Sequence, residues 1–184
     1  MYTREKQETN EATYKPTAVF SLDKLGELNK RFSFLFTSED AQRRGYELQT
    51  LLTDLFNLFG ITAKGAFRLV GEEIDGSFEF EANTYLIEAK WRKVPSGFED
   101  LATFKVKAEG KSNWTRGLFI SINGFTNEGL EAFEKRGATN ILCMNGEDIS
   151  IILECRCTLK DALKLKLRCA AETGKSFVPL RDLI

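Results

Sequence analysis

Three side chains in the stretch 74–91, IDGSFEFEANTYLIEAKW, have types and spacing that can do chemistry together: Asp75, Glu88 and Lys90. Two carboxylates offer hard oxygen donors of the kind Mg²⁺ takes, an ion that accepts one or two carboxylates and keeps waters for a phosphate to displace. An ammonium two residues past one of those acids can orient or deprotonate a water, or neutralise charge developing on a phosphate. These are the requirements of metal-assisted phosphodiester hydrolysis. As a bare pattern, Asp followed later by E-x-K is common on solvated strands, so its meaning depends on the geometry imposed by the surrounding residues.

That geometry is a hairpin. Phe78, Phe80, Tyr85, Ile87 and Trp91 favour strands, and Glu81, Ala82, Asn83 and Thr84 interrupt them with turn-tolerant positions. Alternation puts Ile74, Phe78 and Phe80 on one face of the first strand and Asp75, Ser77 and Glu79 on the other. On the second strand Tyr85, Ile87, Ala89 and Trp91 form the apolar set, and Glu88 and Lys90 share the opposite face with Leu86. A turn centred on Ala82 and Asn83 sets Asp75 across from Lys90 and Ser77 across from Glu88, with the two acids as diagonal neighbours. A slip of one residue would bury the charges and expose the aromatics, so the apolar face enforces the arrangement.

The D-G at Asp75 and Gly76, thirteen residues before the E-A-K of Glu88, Ala89 and Lys90, resembles the PD-(D/E)XK nuclease signature, most closely its Mrr-like restriction endonuclease branch. The resemblance takes in VGEEIDG at 70–76, YLIEAKW at 85–91 and GLFISINGFTNEGL at 117–130. It implies a restriction-endonuclease-like α/β fold, in the order helix, strand, metal-binding hairpin, helix, strand, helix, strand from about residue 40 to 154. It also implies a Mg²⁺-dependent endonuclease, with Mn²⁺ as a substitute ion, that hydrolyses DNA in restriction or defence. Asp75 and Glu88 would then bind the metal, and Lys90 would stand at the attacking water. The segment RRGYELQTLLTDLFNLF at 43–59 looks like the first family helix, where an acid reaches towards the metal. The aligned residue here is Gln49, whereas Glu47, two residues earlier, points about 160° away around a helix. Gln49 can hydrogen-bond near the site but brings no charge. The alternative reading is therefore a non-cleaving nucleic-acid-binding module, or an effector of the same fold activated by a partner or by homodimerisation.

The rest of the composition narrows the chemistry. There is no histidine, which removes Ser-His-Asp catalysis, histidine-based phosphodiesterases, HNH-type nucleases and histidine-ligated zinc together. A net charge of −1 provides no global basic field, so DNA contact has to be local. Lys105, Lys107, Lys111 and Arg116 make the most basic neighbourhood. Lys107 and Lys111 are its candidate phosphate contacts, and a solvated helix face explains the same pattern as well. The four cysteines, Cys143, Cys155, Cys157 and Cys169, follow no C-x-x-C spacing and suit reduced thiols; an all-cysteine zinc site would need all four, with Cys155 and Cys157 on one strand face. No apolar run approaches the ~18 residues of a membrane span, and the first residues lack a hydrophobic segment for secretion, so a cytoplasmic protein is expected. The GKS at 174–176 is not a P-loop, because position 169 is Cys and a helix precedes it.

The framework that must hold the hairpin is legible in outline. Residues 1–36 read as an N-terminal extension with a short helix capped by Ser21, 37–157 as the nuclease-like domain, and 158–184 as a C-terminal helix and tail. Leu48, Leu51, Leu52, Leu55, Phe56 and Phe59 recur at helical spacing over 39–59, with Gly60 as the stop. Strands are expected at 66–70, 118–122 and 139–144, and helices at 98–111, 126–136 and from Thr158 to before Gly174. Asn145-Gly146 is read as a turn leading into a further strand at 149–153.

Overall fold

The computed structural model describes residues 21–69, 72–137 and 139–184. Its centre is a five-stranded mixed sheet in the order β1-β4-β5-β6-β7, formed by β1 (Ala63–Lys64), β4 (Gly76–Phe80), β5 (Asn83–Lys90), β6 (Thr115–Ser121) and β7 (Ile141–Asn145). β1, β4 and β5 pair antiparallel, while β5, β6 and β7 run parallel. Parallel neighbours need crossovers, which α3 (Phe98–Glu109) and α4 (Asn127–Glu134) supply. The strands β2 (Phe67–Leu69) and β3 (Glu72–Ile74) form a separate antiparallel ribbon. The strand expected at 66–70 thus pairs with its own continuation rather than with the main sheet, and Val70, like Gly71 and residues 1–20, lies outside the described residues.

Alternation along the strands sorts the core into two layers. Phe78, Tyr85, Ile87, Leu118, Ile120, Leu142 and Met144 face one cluster with α1 (Leu22–Leu35), α2 (Ala41–Leu58), α5 (Gly146–Leu153) and α6 (Leu159–Thr173). Leu86, Phe119, Ile141 and Cys143 face the other, under Leu101, Phe104 and Ala108 of α3 and Phe133 of α4. The helix capped by Ser21 is longer than the sequence suggested, running on through Phe32 and Phe34, because Leu25, Leu28, Phe32 and Leu35 are all buried in the first cluster. For α2, Asp40 accepts the Gln42 and Arg43 amides at the start, and Gly60 with φ of +67° takes the left-handed turn at the end.

The strand expected at 149–153 is a helix. Ile149, Ile151, Ile152 and Leu153 are buried all round, so their run carries no period to separate strand from helix. The deciding residues are Asn145 and Asp148: the Asn145 side chain accepts the Asp148 amide and Asp148 accepts the Asn145 amide, a reciprocal cap that starts α5 where a hairpin turn was expected. Cys155 and Cys157 consequently lie in the turn after α5 rather than on a strand face. All four cysteines are free. Among the described residues, no helix is long and apolar enough to cross a membrane.

Candidate functional site

The hairpin closes two residues tighter than the sequence suggested. Phe80 pairs with Asn83, and Ser77 with Leu86, so the two loop residues are Glu81 and Ala82, with φ of 47° and 58°. Left-handed angles at both central positions match the right-handed twist of the flanking strands, which is why a two-residue loop prefers them. Ser77 is therefore not opposite Glu88, and Asp75 is not a ladder partner of Lys90. Because the displacement is even, every side chain keeps its face.

Asp75 stands outside the ladder, at the residue where the chain passes from β3 in the ribbon to β4 in the main sheet. Gly76 makes that passage possible: a Cβ there would meet the Lys64 carbonyl oxygen of β1 at 2.9 Å. The Asp75 carboxylate is held on both oxygens. Gln49 Nε2 of α2 donates to Oδ1 at 2.8 Å, and the Ala89 amide of β5 donates to Oδ2 at 2.8 Å. Burial pushes its pKa up to about 6, and Glu88 and Glu73 add to the rise, against the lowering by the Ala89 amide and Lys107. This carboxyl is thus short of compensating positive charge.

Glu88 and Lys90 lie near the C-terminal end of β5, on the face that α3 covers. Lys90 Nζ is 3.6 Å from Glu88 Oε1 and donates to Asp100 Oδ1 at 3.1 Å, 5.7 Å above the ring of buried Phe119. Lys107 Nζ donates to Glu88 Oε2 at 3.0 Å. Asp100 also binds Arg92 and accepts the Gly97 amide at 3.1 Å, closing the start of α3. Burial alone would raise the Asp100 carboxyl, but hydrogen bonds from Arg92, Lys90 and Gly97 outweigh it and hold the pKa below its ordinary value. The start of α3 is itself pinned, since Ser96 donates its amide to Gly124 and bonds Ser121 through the hydroxyls at 2.9 Å.

Gln49, Asp75, Glu88 and Lys90, the four residues singled out from sequence, are therefore tied into one half-buried cluster through Ala89 and the charge pairs. Glu47 is turned away from it, 4.0 Å from Arg43. Lys107, a candidate phosphate contact, is engaged within the cluster, and Lys111 lies exposed past the end of α3. Sequence reasoning missed Asp100 and Arg92. A signal for Asp100 was present: an acid three residues after Gly97 at a helix start, and seven before Lys107 on one helix face.

The donor set suits a hard divalent cation. Among the described residues no three His, Cys, Asp or Glu side chains converge on one metal position, so an ion here would have two carboxylates and draw its remaining ligands from water and substrate, which is the habit of Mg²⁺. Burial of the Asp75 carboxyl disfavours its charged form, a cost that positive charge placed beside it would offset.

No protein-family model matches the chain, and no curated protein does so either. Among solved structures, the chain is similar to the crystal structure of a protein of unknown function, AF1548, at 19% identity and a TM-score of 0.50, over 67% of this chain and 77% of that one. That likeness extends to the fold. A looser one, at 14% identity and a TM-score of 0.42 over 88% of this chain and 40% of the other, is to MspJI restriction endonuclease in complex with a 27-mer oligonucleotide.

Proposed function

We propose that this protein is a Mg²⁺-dependent endonuclease that hydrolyses DNA phosphodiester bonds, in the manner of the Mrr-like restriction endonucleases whose motifs its hairpin resembles, and that it serves restriction or defence. The observation behind this reading is the convergence of Asp75, Glu88, Lys90 and Gln49, drawn from a sheet-to-sheet crossing, a strand and a helix, into one cluster. In the proposed assignment Asp75 and Glu88 hold the ion. When bound, Mg²⁺ supplies positive charge against the phosphate and acidifies a water. Lys90 keeps its ammonium beside Glu88, where it can donate to the attacking water or to a phosphate oxygen. Gln49 fixes the orientation of the Asp75 carboxylate through its amide.

The test is incubation of the purified chain with supercoiled, linear and single-stranded DNA in Mg²⁺, Mn²⁺ or EDTA. Nicking or linearisation that needs the divalent ion and disappears in Lys90→Ala is the expected result. Intact DNA under every condition would sink the cleavage assignment. A second reading has its own support: Gln49 stands where the family carries an acid, and both oxygens of Glu88 already face ammonium groups. On that reading the chain binds nucleic acid without cutting it, or cuts only when a partner is bound, and DNA is retained but intact.

A further inference from the structure

Helix α3 meets the E-A-K of β5 with charges in the reverse order. Asp100 and Lys107 are seven residues, or two turns, apart and so share one helix face; Asp100 accepts from Lys90, and Lys107 donates to Glu88. Lys107 does more than pair with one acid, because its charge also acts on Asp75. It is thus an ammonium bound to Glu88 and close enough for its charge to be felt at Asp75, the two carboxylates to which the proposed function assigns the divalent ion. Two cations cannot both saturate the same carboxylate oxygens at no cost, since their mutual repulsion acts at close range in a half-buried site. The lysine is the one able to leave: its side chain is 23% exposed, and its flexible stem carries a compact charge that water solvates well.

Resting on the nuclease reading above, we propose that Lys107 is the resident counter-cation of the Asp75–Glu88 pair. It yields Glu88 to the entering divalent ion and, once released at the rim of the cluster, contacts the DNA phosphate backbone. Ion loading then raises DNA affinity through a single side chain. The ion-free protein holds that lysine in place, so that each oxygen of the partly buried Glu88 keeps an ammonium partner, Lys90 on one and Lys107 on the other.

The test uses the full chain as wild type, Lys107→Met, Lys107→Arg and Asp75→Asn. MgCl₂ binding is followed by calorimetry, and binding of a short DNA duplex by fluorescence anisotropy in EDTA and in CaCl₂. Removing the competing cation should tighten Mg²⁺ binding about threefold to tenfold in Lys107→Met, while Lys107→Arg, whose guanidinium leaves a carboxylate less readily, should bind Mg²⁺ no more tightly than wild type. In CaCl₂, Lys107→Met should bind the duplex roughly threefold to tenfold more weakly than wild type, and in EDTA the two should bind it alike. Mg²⁺ affinity that is equal or weaker in Lys107→Met overturns the counter-cation role and leaves the metal site standing. Tighter Mg²⁺ with unchanged DNA affinity in CaCl₂ overturns the phosphate contact. Absence of Mg²⁺ binding in both wild type and Lys107→Met, or binding that survives in Asp75→Asn, overturns the two-carboxylate site itself and this inference with it. Should Lys107→Met fail to give a cooperative melt, Lys107→Gln is measured in its place against the same outcomes.

Discussion

At the end of β5, Glu88 and Lys90 remain 12% and 25% exposed, and besides each other they pair with Lys107 and Asp100 of α3. Between α5 and α6, Asp148 and Lys166 are 0% and 2% exposed, 2.8 Å apart. There Asp148 accepts the Leu180 amide at 2.6 Å and the Asn145 amide at 3.1 Å, and Lys166 donates to the Val178 carbonyl at 2.7 Å beneath the Phe177 ring. The sealed pair ties α5, α6 and the C-terminal tail together with its hydrogen-bonding capacity spent within the protein. The open cluster holds a carboxyl at Asp75 whose charged form burial disfavours, and ammonium groups on Lys90 and Lys107 that keep 25% and 23% of their side chains exposed. Charge alone therefore does not single out a candidate site in this molecule; the two clusters differ in how far their charged groups stay open to solvent.

That contrast breaks down if the open cluster does nothing in particular. The largest effect is expected for Lys90→Ala, which should lower DNA cleavage by about a hundredfold or more while leaving Mg²⁺ binding nearly intact, as read by plasmid nicking and calorimetry. Full cleavage by the folded variant would remove Lys90 from the chemistry.

The sealed pair should register in stability instead. Lys166→Met strands the Asp148 carboxylate in the core and should cost about 3–5 kcal/mol in urea unfolding, whereas replacing both members, as Asp148→Asn with Lys166→Met, should cost clearly less. A Lys166→Met protein as stable as wild type would show that Leu180 and Asn145 alone satisfy the acid.

Asp75 gives the sharpest discrimination, through the sign of its pH dependence. Its pKa in the folded protein, about 6, stands above the ordinary 3.8, so the native state holds the proton more tightly than the unfolded chain does. The associated stability is complete below the unfolded value and is lost as pH rises through the folded one; ionising Asp75 thus destabilises the protein by of the order of 3 kcal/mol between about pH 4 and pH 6. Asp75→Asn should erase that slope and raise the melting temperature at pH 7 in EDTA by a few degrees. It should also abolish the stabilisation that Mg²⁺ confers on wild type. Melting curves of the two proteins that respond alike to millimolar Mg²⁺ would make the open cluster as inert as the sealed one.

The smallest effect concerns Lys111, which lies past α3 outside the cluster. Lys111→Ala should lower the salt slope of duplex binding by roughly 0.9 if that side chain meets one phosphate, measured by anisotropy at several salt concentrations. An unchanged slope would confine phosphate recognition to the cluster itself.

Much of this was legible in the chain. The period of Leu48, Leu51, Leu52 and Leu55 placed α2, and the alternation of Phe78, Phe80, Tyr85 and Ile87 placed both hairpin strands and the face bearing Glu88 and Lys90. Register was less so, because Glu81 and Ala82 are poor formal candidates for left-handed angles beside an available Asn83. The helix at 146–153 was hidden, since a run buried on every side has no period and Asn-Gly serves a cap as readily as a turn. Partners across α3 were not legible either. Nothing local to Glu88 reports that Lys107, nineteen residues on, folds back onto it.

The two-residue loop at Glu81 and Ala82 also bears on the order in which the molecule assembles. A hairpin closed by so short a loop can form in microseconds, because little chain entropy is lost in bringing its ends together. The β5–β6 and β6–β7 pairings must wait for the α3 and α4 crossovers, whose larger sequence separations make them slower. Asp75 and Glu88 would then be neighbours early in folding, before α3 arrives with Asp100 and Lys107. For that interval the nascent hairpin carries an acidic face with no lysine from α3 to balance it. Counter-ions in the refolding buffer should therefore affect the early phase of folding more than the late one.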